Sequence, residues 1–121
     1  MKKQMIKRTV VTLSLFAVFA CSAVAPSLAL NMGTRRGEIA PYDTRTYTVT
    51  VYAGTTVRIG VSGDGSTDLD LYVYASGGLI AKDDDGTDEC RASVVVYRSG
   101  QLTLKVVNRG GYYNAFSLWT D

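Results

Sequence analysis

The chain has 121 residues, with thirteen Lys and Arg, eleven Asp and Glu, two cysteines and no histidine. This length allows one small domain. Because general-base activation of a serine or cysteine nucleophile usually relies on an imidazole, the composition excludes triad chemistry.

The first 29 residues have the pattern of a secretory signal peptide. Basic residues within positions 2–8 precede an apolar run at 10–25, and Ser27, Leu28 and Ala29 offer a cleavage site. The apolar run is interrupted by Cys21 and Ser22, and its strongly apolar part is too short to span a membrane. We therefore predict a helical signal peptide over 1–29, a mature start at Leu30, and a secreted, extracellular or periplasmic protein with no membrane association after cleavage.

The two cysteines allow two processing routes. Cys21 ends a sequence, Val18 to Cys21, that loosely resembles the lipobox of acylated lipoproteins. If Cys21 is instead removed with the signal, Cys90 is the one cysteine left, and an intramolecular disulfide is impossible. Cys90 is then either a small buried hydrophobic residue, which we expect, or the link of a dimer.

Removal of residues 1–29 takes away four basic residues and no acidic one, which leaves nine basic and eleven acidic residues and a formal net charge of −2. The remaining arginines are scattered, apart from Arg35 and Arg36. No basic surface for nucleic acid is therefore expected.

Residues 30–43 mix glycines, Pro41 and charges without a period, which indicates a leader or linker. From residue 44 to 121 apolar and polar residues alternate, and turn residues recur about every ten positions, as in an antiparallel β-sandwich of seven to eight strands. The alternating apolar positions include Tyr47, Val49, Val51, Val57, Ile59, Val61, Leu69, Leu71, Val73, Leu102, Leu104 and Val106. Phe116 and Trp119 fall on opposite faces of the last strand, so one of them packs outside the main core.

Acidic residues are concentrated in two connections. Eight of the eleven lie between Gly63 and Cys90. Carboxylates crowded into adjacent turns repel one another, and a calcium ion, which takes six to eight oxygen ligands, would relieve that repulsion. Alternation places Asp68 and Asp70 on one face, next to a glycine-rich loop that holds Asp64, so these three are candidate ligands. The alternative interpretation is ordinary solvated turn chemistry, in which aspartates cap their own backbone.

The segments GDGSTDLDLYVY, LIAKDDDGTDEC and GQLTLKVVNRGGYYNAFSLWT resemble the bacterial pre-peptidase C-terminal (PPC) domain over residues 38–121. The resemblance implies a small jelly-roll-like β-sandwich, similar to the calcium-binding, collagen-binding domains of clostridial collagenases. It also implies that Asp68 and Asp70 are the paired aspartates of the family and that Asp84 and Asp85 form its acidic turn. Glu38 is the single clear counterpart of the acidic leader of those relatives.

PPC domains commonly accompany secreted peptidases. Since no peptidase domain is present in this sequence, the resemblance implies a non-catalytic module that binds an extracellular protein or polysaccharide, or that assists a peptidase in trans. Tyrosines offer large, rigid contact surfaces. The candidate contacts are Tyr72, Tyr74, Tyr112 and Tyr113, the last two in the family's late aromatic stretch.

Two further functions remain open. A purely structural exported sandwich would carry the same turns without an ion. A carboxylate-dependent hydrolase using Asp70 and Asp84 would need a substrate cleft, for which about ninety residues leave little room. We therefore expect no enzymatic activity.

Overall fold

The computed structural model describes residues 28–30 and 33–121. Residues 1–27, which hold most of the predicted signal peptide, and Cys21 with them, lie outside this part. The described strands are β1 Leu28–Leu30, β2 Gly33–Ile39, β3 Thr44–Val51, β4 Thr56–Ser62, β5 Leu69–Ala75, β6 Gly78–Asp83, β7 Glu89–Val95, β8 Gly100–Asn108 and β9 Asn114–Thr120.

The strands form two facing sheets. One sheet has four strands in the order β2-β9-β4-β7, and the other has five in the order β1-β3-β8-β5-β6. Every pairing is antiparallel except that of β1 with β3, which is parallel. The predicted all-β sandwich is confirmed, with eight antiparallel strands and the short additional strand β1.

The core lies between the sheets and follows the alternation in the sequence. Every apolar position listed above as alternating is buried, including Tyr47, whose side chain is 1% exposed. Phe116 and Leu118 of β9, Cys90 and Val94 of β7 and Ile39 of β2 complete most of the remaining contacts. Because successive side chains in a strand point to opposite faces, one face of each strand supplies the core.

The predicted leader contains a strand. Gly33–Ile39 pairs with β9 in continuous register, from Gly33 opposite Thr120 to Ile39 opposite Asn114. Its sequence shows no alternation because β2 is an edge strand in which Ile39 is the one buried residue. The strand is therefore held by backbone pairing more than by apolar burial.

The connections separate into two ends. One end, here called the acidic end, carries the longer connections; the other, here called the opposite end, carries short turns. The acidic end consists of residues 40–43, 63–68, 84–88 and 109–113. The opposite end consists of residues 52–55, 76–77 and 96–99. Among the described residues no helix is long and apolar enough to cross a membrane.

Candidate functional site

A buried asparagine, Asn114, ties together the two aspartate-rich turns of the acidic end. Its side-chain Oδ1 accepts a hydrogen bond from the backbone N–H of Asp64 at 3.0 Å. Its Nδ2 donates to Thr67 O at 3.2 Å, to Thr67 Oγ1 at 3.1 Å and to Asp88 Oδ2 at 3.1 Å. Since Asn114 is fully buried at the start of β9, it fixes both turns to the sandwich.

A second buried asparagine, Asn108, does the same for the other two turns. Its Nδ2 donates to Ile39 O at 3.3 Å, to Ala40 O at 3.2 Å and to Tyr112 O at 2.8 Å. Its Oδ1 accepts from Gly110 N at 3.0 Å. The turn at 109–113 is therefore anchored to the turn at 40–43.

Asp64 and Asp85, both predicted ligands, organise their own turns. Asp64 Oδ1 accepts hydrogen bonds from the N–H and hydroxyl of Ser66, and Oδ2 accepts from Ala115 N at 3.0 Å. Asp85 Oδ1 accepts from Thr87 N at 3.1 Å and Thr87 Oγ1 at 2.9 Å. These hydrogen bonds favour the charged forms and lower the pKa of both carboxyl groups.

The neighbouring acids Asp84 and Asp88 also have local partners. Asp84 forms an exposed ion pair with Lys82 at 3.2 Å. Asp88 Oδ2 accepts from Gly65 N at 2.6 Å, and a side chain at Gly63 would overlap its carboxylate. The crowding of acids in this connection is therefore largely turn chemistry.

Asp70 lies in a different environment, on the outer face of the five-stranded sheet. It is 4% exposed, and its Oδ2 accepts from Arg109 Nε at 2.6 Å and from the Tyr72 hydroxyl at 3.3 Å. Arg109 Nη2 also donates to Tyr72 Oη at 2.8 Å. The hydrogen bond that Arg109 donates to Asp70 is the main cause of the raised pKa of Arg109. Arg109 therefore supplies part of the counter-charge that the acidic cluster requires.

Two carboxylate oxygens at this site are buried without a hydrogen-bond partner, Asp68 Oδ1 and Asp70 Oδ1. Desolvation, followed by repulsion from Asp70 and Asp85, raises the pKa of Asp68, although Arg109 acts in the opposite direction. Buried polar atoms are normally paired, and two unpartnered carboxylate oxygens on residues two positions apart could each serve as a ligand of a cation.

The six predicted ligands are nevertheless not gathered into one cage. Within residues 28–30 and 33–121 no three acidic, cysteine or histidine side chains are close enough to hold a metal ion together. Glu38 lies on the other sheet, in β2 opposite Ala115. Of the six predicted ligands, Asp68 and Asp70 are the two with a buried oxygen that no described residue hydrogen-bonds, and backbone oxygens and water would have to complete any ion site around them.

The four predicted tyrosine contacts are on two surfaces. Tyr112 and Tyr113 are exposed, at 74% and 59%, in a turn of the acidic end that also meets exposed Tyr42. Tyr72 and Tyr74 are half-buried on the outer face of β5. Tyr72 is engaged by Arg109, and the Lys105 ammonium lies 5.2 Å from the Tyr74 ring centroid.

Cys90 is buried in the core. Its thiol donates a hydrogen bond to Leu69 O at 3.1 Å, and desolvation is the main cause of a pKa raised to about 12. A thiol at 0% exposure is inaccessible to a second chain while the sandwich is folded. This position agrees with the expected role of a small buried hydrophobic residue.

The opposite end has no comparable polar network. A groove of about 570 Å³ opens there, with Val51, Ala75 and Leu102 among its apolar lining and Arg98 and Gln101 among its polar lining. Tyr97, next to it, is 86% exposed.

Comparison with family profiles matches residues 43–113, more than half of the chain, to the bacterial pre-peptidase C-terminal domain. The chain belongs to this family. The PPC domain is a non-catalytic β-sandwich module of peptidases. The sequence-based resemblance is thereby confirmed. A search of curated proteins finds no significant sequence match.

Solved structures confirm the PPC fold. The chain is similar to the pre-peptidase C-terminal domain of the collagenase from Bacillus anthracis, with a TM-score of 0.70 at 14% identity over 84% of this chain and 100% of that one. It is also similar to Aeromonas hydrophila PliG, a periplasmic lysozyme inhibitor of g-type lysozyme. That match has a TM-score of 0.56 at 19% identity, over 79% of this chain and 98% of the other.

Sequence reasoning missed the residues that build the acidic end. The sequence pattern predicts a turn at Asn108 and a strand through Asn114, gives neither residue a role in a site, and leaves Arg109 among several scattered arginines. Their position at strand ends that face an acidic turn was the available signal, because a buried asparagine can satisfy several backbone groups at once.

Proposed function

We propose that this PPC chain is an exported, non-catalytic module, stabilised by calcium, that binds an extracellular protein or polysaccharide surface through its acidic end. The observation that carries the proposal is the pair of buried, unpartnered oxygens of Asp68 and Asp70 at the end that also presents exposed tyrosines.

The donor set of the pair suits calcium. Carboxylate oxygens are hard ligands, and an ion shared by Asp68 Oδ1 and Asp70 Oδ1 would satisfy both groups. Bound calcium would neutralise repulsion between the two carboxylates, while Arg109 already pairs with the other oxygen of Asp70. Asp84 and Asp85 are the nearest further candidates, because both act electrostatically on Asp68.

The location follows from the sequence and the relatives. A signal-like segment at 1–29 supports export. The related domain belongs to a collagenase, and PliG is described as periplasmic. Both are consistent with an extracellular or periplasmic site of action for this chain.

The binding surface that we propose is the tyrosine cluster of the acidic end, Tyr42, Tyr112 and Tyr113. Its three rings are more than half exposed and lie on turns that Asn108 holds in place. Rigid aromatic side chains bind at a low entropic cost. A secreted peptidase assisted in trans is one partner of this kind.

A catalytic role has less support. Asp70 is engaged by Arg109, and Asp84 pairs with Lys82 at the surface, so the two carboxylates imagined for hydrolysis have different partners. A purely structural sandwich without an ion is the main alternative, and calcium titration separates it from our proposal.

The calcium test compares thermal unfolding in chelator and in millimolar calcium. We expect calcium to raise the melting temperature of the mature chain, because a ligand that binds the native state alone stabilises it. Asp68→Asn should abolish that rise without unfolding the protein. Asp121→Asn, which removes an exposed carboxylate at the opposite end, is the matched control and should leave the rise intact. A flat response of the unmutated chain would contradict calcium stabilisation.

The binding test measures retention on collagen, chitin, cellulose and peptidoglycan. We expect retention on at least one of these, reduced at least about tenfold by a double change of Tyr112 and Tyr113 to serine, since aromatic anchors dominate binding energies. Tyr97→Ser, which changes an even more exposed tyrosine at the opposite end, should leave retention unchanged. No retention on any of the four would contradict the binding role.

A further inference from the structure

The outer face of the four-stranded sheet carries an indole lying on the backbone. Trp119 of β9 is directly opposite Gly60 of β4. A Cβ added at Gly60 would overlap Cε2, Cζ2 and Nε1 of Trp119. The ring therefore covers the Gly60 Cα, yet Trp119 remains half-exposed.

Gly60 has no conformational reason to be glycine. Its φ is not among the positive values of the described residues, and it sits inside a regular strand where glycine weakens pairing. The need is for space: any side chain would displace the indole. The absence of a side chain at Gly60 therefore leaves room for the Trp119 indole against the sheet.

Two exposed ion pairs flank the ring. On one side, Arg58 Nη2 lies 2.9 Å from Asp121 Oδ2, with the two side chains 61% and 62% exposed. On the other side, the Arg91 guanidinium carbon is 5.4 Å from the ring centroid. Arg91 Nη2 lies 3.6 Å from Glu89 Oε1, and these side chains are 57% and 53% exposed. Each pair places a donor beside an acceptor.

The register explains this grouping. Arg91 is opposite Gly60 on the far side from Trp119, so one row across the sheet reads Trp119, Gly60, Arg91. Arg58 precedes Gly60 by two residues and therefore points to the same face. The arrangement is one partly exposed indole, with the Arg91 guanidinium over its ring and hydrogen-bonding groups of both kinds around it.

We propose that this outer face is a polysaccharide-binding site in which one pyranose ring stacks on Trp119. The proposal rests on the proposed function as an exported binding module and assigns it a second surface, away from the tyrosines. The Arg58–Asp121 and Arg91–Glu89 pairs hydrogen-bond the hydroxyls of the stacked sugar.

The chemistry fits an uncharged sugar better than other ligands. A pyranose presents a flat face of C–H groups, which matches the electron-rich face of an indole. Each sugar hydroxyl is both a donor and an acceptor, as each ion pair is. Since the carboxylates of Asp121 and Glu89 balance the arginines beside them, the face offers no strong field for a polyanion.

The experiment uses the fluorescence of Trp119, the one tryptophan of the chain. Chito-oligosaccharides, cello-oligosaccharides and soluble peptidoglycan fragments are titrated into the mature protein, and retention is measured on the corresponding insoluble polymers. We expect a saturable change in emission with at least one sugar. Retention should fall at least tenfold in Trp119→Ala and in Arg58→Gln, and less in Trp119→Phe.

Arg58→Gln keeps the test decisive if Trp119→Ala fails to fold, because Arg58 is exposed and does not enter the core. The double Tyr112 and Tyr113 change, which the proposed function expects to weaken retention, should leave the sugar-induced change in Trp119 emission intact. Sugar retention lost with the tyrosines but kept with Trp119→Ala and Arg58→Gln would overturn this site and leave the proposed function standing. Binding of polyanions alone, abolished by moderate salt, would also overturn it. Absence of retention and of any emission change would overturn both proposals.

Discussion

The two ends of the sandwich join the same strands by different means. At the opposite end the turns are closed mainly by backbone hydrogen bonds, such as Gly54 N to Val96 O and Val96 N to Thr55 O, each at 2.8 Å, with Ser99 Oγ accepting from Ala53 N. At the acidic end two buried asparagines, Asn108 and Asn114, make eight side-chain hydrogen bonds to the connecting segments.

The difference lies in where the backbone groups of each connection find partners. At the opposite end residues 52–55 and 96–99 bond to each other's backbone, whereas the connections of the acidic end also take partners from side chains. The acidic end therefore requires buried polar side chains, and it concentrates charge near them. The opposite end leaves large side chains such as Tyr52 and Tyr97 exposed instead.

The largest expected effect is a difference in stability between substitutions at the two ends. Asn114→Ala removes hydrogen bonds to two turns and should lower the free energy of unfolding by about 3 kcal/mol, because buried partners lose their bonds together. Ser99→Ala at the opposite end removes one exposed bond and should cost about 1 kcal/mol or less. Urea unfolding of both variants measures the difference. Equal losses would show that the two ends are held alike.

A smaller effect concerns the counter-charge at the acidic end. Arg109→Met leaves the Asp70 carboxylate, 6% exposed in its side chain, without its cation. We expect a loss of about 2 kcal/mol in chelator, below the value for a fully buried pair because the Arg109 side chain is 51% exposed. Calcium should then stabilise the variant more than the unmutated chain. Unchanged stability in chelator would show that Arg109 does not stabilise the protein through the Asp70 carboxylate.

The smallest expected effect is on the pH dependence of the free energy of unfolding, and it has opposite signs for Asp68 and Asp64. Burial raises the pKa of Asp68, so its contribution to stability falls as the pH rises from about 4 through that raised value. In chelator at pH 7, Asp68→Asn should therefore be at least as stable as the unmutated chain. This advantage should vanish below pH 4.

Asp64→Asn is the matched control, because its effect on stability should have the opposite sign to that of Asp68→Asn. Hydrogen bonds lower the pKa of Asp64, so its contribution is present at neutral pH and is lost as the pH falls through the lowered value. The variant should be less stable than the unmutated chain at pH 7, and the difference should shrink in acid. Urea unfolding at pH 3.5, 5 and 7 checks both variants, and effects of the same sign would contradict the assignment.

Much of the fold could be predicted because strand alternation is a local signal. The positions of Tyr47, Leu71 and Leu104 in the core follow from period two alone. Strand β2 could not be predicted in this way, since an edge strand with one buried residue carries no alternation. Alternation predicted only that Trp119 and Phe116 lie on opposite faces of the last strand. The contact of Trp119 with Gly60 depends on the pairing of β9 with β4.

The sequence by itself determined the sandwich, its inner face and the family, because each depends on residues near one another in the chain. Tertiary structure alone decided which acids are turn formers and which two, Asp68 and Asp70, keep a buried carboxylate oxygen without a hydrogen-bond partner. It also brought Asn114 and Arg109 to carboxylates 26 and 39 residues away. Contacts of that range depend on strand order and register, which no local pattern of residues encodes.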